Sequence, residues 1–360
     1  MNEQTQKNVL VISTNFNYSC GVSKHIFLLL KELKKDNHFN FYFCVNSGDS
    51  LDRIKELGIP IYFFYYSTPV VNILSILPNF FKLLKYCIKY EIKIIHTHHR
   101  YPELLSFLVS KLLRIKTITT VHSLVDGKKI MSFKSDQIIA VSKAVEMHLL
   151  IDFGVNRLKL VQLYNFVEEI PNSTFSFPLS KQIQSIFEHN RIILFIGRIG
   201  YVKGCDVLMD SFLNISTNYS DVRLVLIGNI ENEELKRYFL KSDKIIYIPS
   251  IDNASDFIRY AEFVVAPSRI EPLSYVMLES GLFSKPFIGG NTGGIREFIE
   301  HKVSGYLVKP GDVDSLSEAI VWLLNNKEVA KIMGQELYKR VLPLKSKDEY
   351  IKKLNVIYNE

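Results

Sequence analysis

Short runs of β-branched and aromatic residues alternate with stretches of helical period along nearly the whole chain. In the first half NVLVIS (8–13), FNFYFCV (39–45), IPIYFF (59–64), IKIIH (92–96), KTITTV (116–121) and DQIIAV (136–141) read as strands, with helices at about 23–35, 70–90, 101–113 and 142–150. LKLVQLYN (158–165) reads as one more short strand and a turn. A second series follows: RIILFIG (191–197), VRLVLIG (222–228), KIIYIP (244–249), EFVVAPS (262–268), KPFIGG (285–290) and SGYLV (304–308), each leading into a helix-compatible segment. This order predicts α/β architecture, two doubly wound parallel sheets covered by helices with a central cleft between them. Residues 166–189, with Pro171, Pro178 and several Ser and Asn but little periodicity, read as the linker. The expected lobes are therefore 1–165 and 190–339, and no internal repeat is visible.

Composition narrows the function classes. At 360 residues the chain exceeds one ordinary core, and 47% apolar with 22% charged residues is globular composition. The formal charge of +7 permits an anionic ligand or lipid surface but is too weak and dispersed for a nucleic-acid binder. Cys20, Cys44, Cys87 and Cys205 form neither a CxxC nor a disulfide framework, which fits a reducing cytoplasm. The N-terminus reads as no signal peptide, and no window is apolar enough to span a membrane. The expected location is cytoplasmic, with peripheral contact on the inner face of the membrane as one reading of 70–90. There Val70, Leu74, Leu77, Phe81, Leu84 and Ile88 recur near helical spacing with Lys82, Lys85 and Lys89 between them. A lobe-packing helix with solvated lysines would show the same pattern, and Pro78 should break or kink either one.

In doubly wound sheets ligands collect beyond the carboxyl ends of the strands. There the chain carries Gly197-Arg198-Ile199-Gly200-Tyr201-Val202-Lys203-Gly204, two cations on a glycine-rich turn at a helix entrance, which suits a diphosphate. A solvated βα loop would look the same. Glu271 and Glu279 flank Pro-Leu-Ser-Tyr-Val-Met-Leu. With Ser274 as N-cap, Glu279 falls in the second turn of a helix and Glu271 in the loop before it, where two carboxylates can accept from a hydroxyl-rich ligand. Spacing alone favours the plainer reading, a helix-surface charge at Glu279 and a loop charge at Glu271. NTGGIREFIE (291–300) is either a close-approach turn or a plain connection. His96, His98 and His99 have no carboxylate or cysteine at a ligand offset, so no metal is expected. His98, His99 and Arg100 are candidate acceptor contacts. Asp312-Val313-Asp314 reads as part of a helix start, with Ser315 and Glu318 as a capping box.

GRIGYVKG, APSRIEPLSYVMLES, NTGGIREFI and GYLVKPGDVDSLSEAI resemble, in order and spacing, the second lobe of the family 4 glycosyltransferases over roughly 190–325. The first lobe adds Cys20-Gly21-Val22, THHR, TVHS (120–123), AVSKAVEMHL (140–149) and LYNFV (163–167). The resemblance implies the GT-B fold of two Rossmann-like lobes. It also implies a retaining, metal-independent hexosyltransferase without a cofactor, using a nucleoside diphosphate sugar. The implied acceptor is a glycan or lipid-linked molecule in bacterial surface polysaccharide biosynthesis. It further implies that Arg198 and Lys203 bind the donor diphosphate and Glu279 the ribose. Glu271 would bind a hydroxyl of the transferred sugar, with amides near Leu273 and Ser274 holding that sugar or the distal phosphate. Gly21 would let its loop approach the diphosphate, and His122 would contact the donor sugar near its C6 position. A C-terminal helix at about 340–360 would pack back on the first lobe. The sequence departs from the pattern at Cys20, where a first glycine usually stands, and at Pro272-Leu273-Ser274, in place of Gly-Phe-Gly. A non-catalytic transferase-like partner or glycan-binding subunit is the alternative, and the intact cation and glutamate set argues against it.

Overall fold

The computed structural model describes residues 6–35, 38–64, 73–168 and 180–360. The chain divides into two compact units, Met1–Asn165 with Asp348–Glu360, and Phe166–Lys347. Pro171, Pro178 and the start of the expected 70–90 helix lie outside the described residues.

The first unit runs β1 (Lys7–Ile12), α1 (Gly21–Leu33), β2 (Phe39–Val45), α2 (Asp52–Glu56), β3 (Ile61–Phe63), α3 (Ile73–Lys89), β4 (Ile92–Thr97), α4 (Arg100–Leu113), β5 (Lys116–Val121), β6 (Gln137–Ala140), α5 (Lys143–Ile151) and β7 (Leu160–Gln162). Its seven strands are parallel in the order β3-β2-β1-β4-β5-β6-β7. Central strands such as β1 are buried on both faces, which explains why they read as unbroken apolar runs. The helix α3 continues through Pro78. Pro78 is its sixth residue, and the single intrahelical bond the ring removes does not end the helix.

The second unit runs α6 (Lys181–His189), β8 (Arg191–Ile196), α7 (Cys205–Ile215), β9 (Val222–Ile227), β10 (Ile245–Ile248), β11 (Phe263–Ala266), α8 (Tyr275–Leu282), β12 (Phe287–Gly290), α9 (Ile295–Phe298), β13 (Tyr306–Val308), α10 (Val313–Asn325) and α11 (Lys327–Val341). Its six parallel strands take the order β10-β9-β8-β11-β12-β13. Both sheets thus have the doubly wound, Rossmann-like order. Lys181–His189, read above as linker, forms a short helix capped by Ser180, with Phe187 buried. The connections 233–240 and 254–260 are 3-10 turns rather than α-helices. The cap of α10 is Asp312, whose side chain accepts from Ser315 N, so the expected Ser315 capping box lies three residues too late.

The helix α12 (Lys347–Asn359) closes the list of elements and belongs to the first unit, burying Tyr350, Leu354, Ile357 and Tyr358. Among the described residues no helix is long and apolar enough to cross a membrane.

Candidate functional site

In the second unit the glycine turn after β8 is held by the loop after β11. Gly204 has φ +71, and a Cβ there would stand 2.2 Å from the carbonyl oxygen of Pro267, so only glycine lets the turn lie this close. Arg269 ties the two loops together. Its backbone N–H donates to Val202 O (2.9 Å), and its guanidinium forks onto Asp206 in the first turn of α7 (2.7 and 2.8 Å) and reaches Tyr201 O (2.5 Å). Asp206 raises the Arg269 pKa above its ordinary value. Lys203 Nζ donates to Glu271 Oε2 at 2.6 Å, and Ser268 Oγ to the same oxygen at 3.2 Å. Arg198, exposed, pairs with Glu231 at 2.5 Å.

Ser274 is the N-cap of α8, its Oγ accepting from Met277 N at 3.2 Å. Leu273, beside it, is buried. Glu279 falls in the second turn of α8 and, like Glu271, is only 5% exposed, so neither is a surface charge. The NTGG turn approaches backbone rather than open space. Gly293 has φ +46, its Cβ position lies 2.0 Å from Glu271 O, and Gly294 N donates to that oxygen at 2.9 Å. The turn therefore fixes where Glu271 starts. Arg198, Lys203, Glu271, Leu273, Ser274 and Glu279 all lie on these mutually braced loops or the helix they open, and Lys203 and Glu271 are in direct contact.

The first unit brings together five histidines. His25 lies on α1, His96 in β4, His98 and His99 just after it, and His122 just after β5. His96 bonds Tyr358 Oη through Nδ1 and Thr120 Oγ1 through Nε2, both at 2.8 Å, which gives it a structural place. The rings of His96, His98 and His122 stack in sequence, with centroids 4.5 and 5.3 Å apart. His98 Nδ1 lies 3.0 Å from His122 Nε2. The His25 ring meets His122 edge-on at 4.8 Å, and its Nε2 is 3.4 Å from Tyr350 Oη on α12. His99 Nδ1 accepts from Thr14 N at 3.3 Å. Burial pulls His25 and His96 down to about 3 and His99 to about 4, and holds His98 and His122 well below the ordinary imidazole value. Among the described residues His25, His98 and His122 are also the group close enough to share a metal ion, with ligand atoms within 4.8 Å of one another.

Gly21 is the first residue of α1 and exposed, following Cys20, whose side chain makes no cap bond. Arg100 is committed to its own unit. It donates to Ser132 Oγ (2.7 and 3.1 Å) and to Asp126 O (3.0 Å) and Gly127 O, and its guanidinium faces the rings of Phe133 and Phe153. It therefore staples the loop after His122. Glu103, which the sequence reading passed over, does the same one turn on. Buried in α4, its carboxylate accepts from the N–H groups of Phe133, Lys134 and Ser135 at 3.0, 2.5 and 2.9 Å. Burial raises its pKa despite those bonds. Arg269 and Asp206 were missed likewise. Their only signal is charge of opposite sign 63 positions apart. Two surface cavities of the first unit, of about 980 and 540 Å3, contain none of the candidate residues.

Two family models match the chain, Glycosyltransferase Family 4 over residues 20–169 and Glycosyl transferases group 1 over 176–340. An uncharacterized glycosyltransferase of Methanocaldococcus jannaschii is 28% identical over 346 residues, covering 91% of each chain. The capsular polysaccharide biosynthesis glycosyltransferase CapM of Staphylococcus aureus is 25% identical over 242 residues, 64% of this chain and 63% of CapM. HepE of Anabaena, solved in complex with UDP-glucose, superposes with a TM-score of 0.79 at 17% identity, over 97% of this chain and 99% of HepE. That likeness matches the two Rossmann-like units of the GT-B fold.

Proposed function

The chain belongs to the family 4 glycosyltransferases, and from that premise we propose that it moves a hexosyl unit from a nucleoside diphosphate sugar to a glycan or lipid-linked acceptor. The observation that carries this reading is the joining of the 197–204 turn to the 271–279 segment through Lys203 and Glu271. Cations, helix-end amides and buried carboxylates in one place match the two ends of such a donor, an anionic diphosphate and hydroxyl-rich sugars.

In the proposed reaction the bond from the sugar C1 to the diphosphate oxygen breaks, and a bond from C1 to the acceptor oxygen forms on the same face. The acceptor proton passes to the departing phosphate. Negative charge then grows on the diphosphate, where Arg198, Lys203 and the amides at Leu273 and Ser274 hold it. These fixed charges supply the stabilisation a metal ion would otherwise give, so the transfer is proposed to be metal-independent. Glu279 takes the ribose, Glu271 a sugar hydroxyl, Gly21 the approach to the diphosphate and His122 the transferred sugar. His98, His99 and Arg100 are proposed to face the acceptor, although His98 is buried, His99 half-buried and Arg100 already bonded to the loop after His122.

The setting proposed is surface-polysaccharide assembly on the cytoplasmic side of a membrane, which the likeness to CapM supports. A second observation supports peripheral membrane contact. Leu77, Phe81 and Ile88 are each 60% exposed or more, within about 40° of one face of α3. Lys85 and Lys89, also exposed, lie nearby.

Thermal shift with UDP, GDP, ADP and CDP and their sugars tests the donor assignment, starting with UDP-glucose. One nucleotide at 100 times its Kd should stabilise the protein by about 2.7 kcal/mol. Stabilisation by none of them would overturn the reading. Product analysis with the stabilising sugar nucleotide then separates transfer from epimerisation.

A further inference from the structure

The stacked imidazoles of the first unit contain a polar atom that decides a proton's position. His98 is 3% exposed, and its Nε2 has no hydrogen-bond partner. Its Nδ1 faces His122 Nε2 at 3.0 Å, so one of these two nitrogens carries the proton between them. Burial keeps both rings neutral near pH 7, leaving one proton to each.

Two arrangements remain. If His98 were protonated on Nε2, a buried N–H would point at no acceptor, and the Nδ1 lone pair would accept from His122. If His98 is protonated on Nδ1, it donates to His122, and the orphan is a bare lone pair. A buried donor without a partner is the rarer and costlier defect, and an unused acceptor is better tolerated. The second arrangement also sets the next ring. With its Nε2 accepting, neutral His122 must carry its proton on Nδ1. Among the described residues that nitrogen makes no hydrogen bond, and the His122 side chain is partly open to solvent.

We propose that His98 is a positioning residue that locks His122 as the Nδ1–H tautomer, so that His122 offers its ligand a hydrogen-bond donor and never an acceptor. The ligand group it selects is an oxygen with a free lone pair, such as a sugar hydroxyl, a ring oxygen or a phosphate oxygen. The ligand half of this inference rests on the reading of His122 as a donor-sugar contact, whereas the tautomer half does not. The flanking rings take no proton from the pair. His96 is saturated by Tyr358 and Thr120, and His25 meets His122 edge-on.

The test is nitrogen-resolved NMR of the full chain labelled at histidine, with signals assigned by single substitutions. The wild-type His122 signal should show the proton on Nδ1 and be unchanged by a chelator. A proton on Nε2, or a signal shifted by removing a bound metal from the His25, His98 and His122 group, overturns the proposal. His98→Asn keeps an N–H near the Nδ1 position and should preserve the tautomer. His98→Leu should release it to a mixture. Should His98→Leu fail to fold, the wild-type and His98→Asn spectra still decide. In activity, His98→Leu should lose about tenfold in kcat/KM for the sugar nucleotide, the scale of one hydrogen bond, and His98→Asn should recover most of it. A locked tautomer with full activity in both His98→Leu and His122→Ala would refute the sugar contact while leaving the tautomer standing.

Discussion

The ammonium of Lys203 lies 2.6 Å from Oε2 of Glu271, 68 positions further along the chain. The contact joins a loop that follows β8 to a loop that follows β11. It also means that the cation proposed to meet a diphosphate is held in place beforehand by a carboxylate only 5% exposed. Each partner therefore has two duties, one toward the fold and one toward the ligand, and substitutions can separate them.

Lys203→Ala is expected to keep the fold and cut transfer at least ~100-fold, the scale of one lost transition-state donor. Glu279→Ala, which removes the acceptor proposed for the ribose hydroxyls, is expected to keep the fold and cut transfer by a similar ~100-fold through lost anchoring of the sugar nucleotide. Lys203→Ala should also lower the melting temperature, because it leaves Glu271 buried without its cation. Adding Glu271→Gln should restore that stability and leave transfer low. Initial rates and melting curves on the four variants of the cycle check this. Near-normal turnover in Lys203→Ala would remove the basis for the donor site.

Gly293→Ala tests the brace behind Glu271. Its Cβ would fall 2.0 Å from Glu271 O on a backbone at φ +46, so the turn or the loop must move. The backbone strain alone costs about 1–3 kcal/mol. The expected result is a lower melting temperature together with weaker nucleotide-sugar binding, read by calorimetry. Unchanged binding in a folded variant would show that Glu271 does not depend on the turn.

Acid should act on the first unit through its imidazoles. His25 and His96 are held at about 3 and His99 at about 4, below the ordinary 6.5. The folded values are the lower ones, so the unfolded chain binds more protons as the pH falls. Stability is whole above about 6.5 and drains away between there and about 3–4. At pH 5 each fully buried ring of this kind costs about 2 kcal/mol. Melting curves from pH 7 to 4.5 should fall steeply, and less steeply in His96→Gln. A flat profile would contradict the burial of these rings.

The stripe on α3 is expected to bind anionic vesicles. Co-sedimentation with phosphatidylglycerol vesicles should be salt-sensitive and should fall several-fold in a Leu77→Ser, Phe81→Ser double variant with unchanged melting temperature. Equal binding by the variant would rule the stripe out as the contact.

The strands were readable because period and length both mark them, and the βα loops were readable because ligands in such sheets gather where strands end. Burial was not readable. Glu279 has the spacing of a surface charge, yet residues 275–281 of α8 are all buried. Helical period finds one apolar face and cannot signal a helix enclosed all round. Glu103 and Arg269 escaped for another reason. Their partners stand about 30 and 63 positions away and, for Glu103, are backbone N–H groups that every residue but proline possesses. At Asp312, two overlapping cap signals competed, and the hydrogen bond to Ser315 N settled which one the helix uses.

The placement of α12 has a consequence for how this molecule is made. Residues 348–360 complete the unit that residues 1–165 begin, with Tyr358 bonded to His96 and Tyr350 against His25. On the ribosome the entire second unit emerges before that last piece does. The histidine stack of the first unit waits, incompletely covered, through the synthesis of about half the chain. A nascent chain halted before Tyr350 would leave that stack open to chaperones and proteases until α12 has been made and docked.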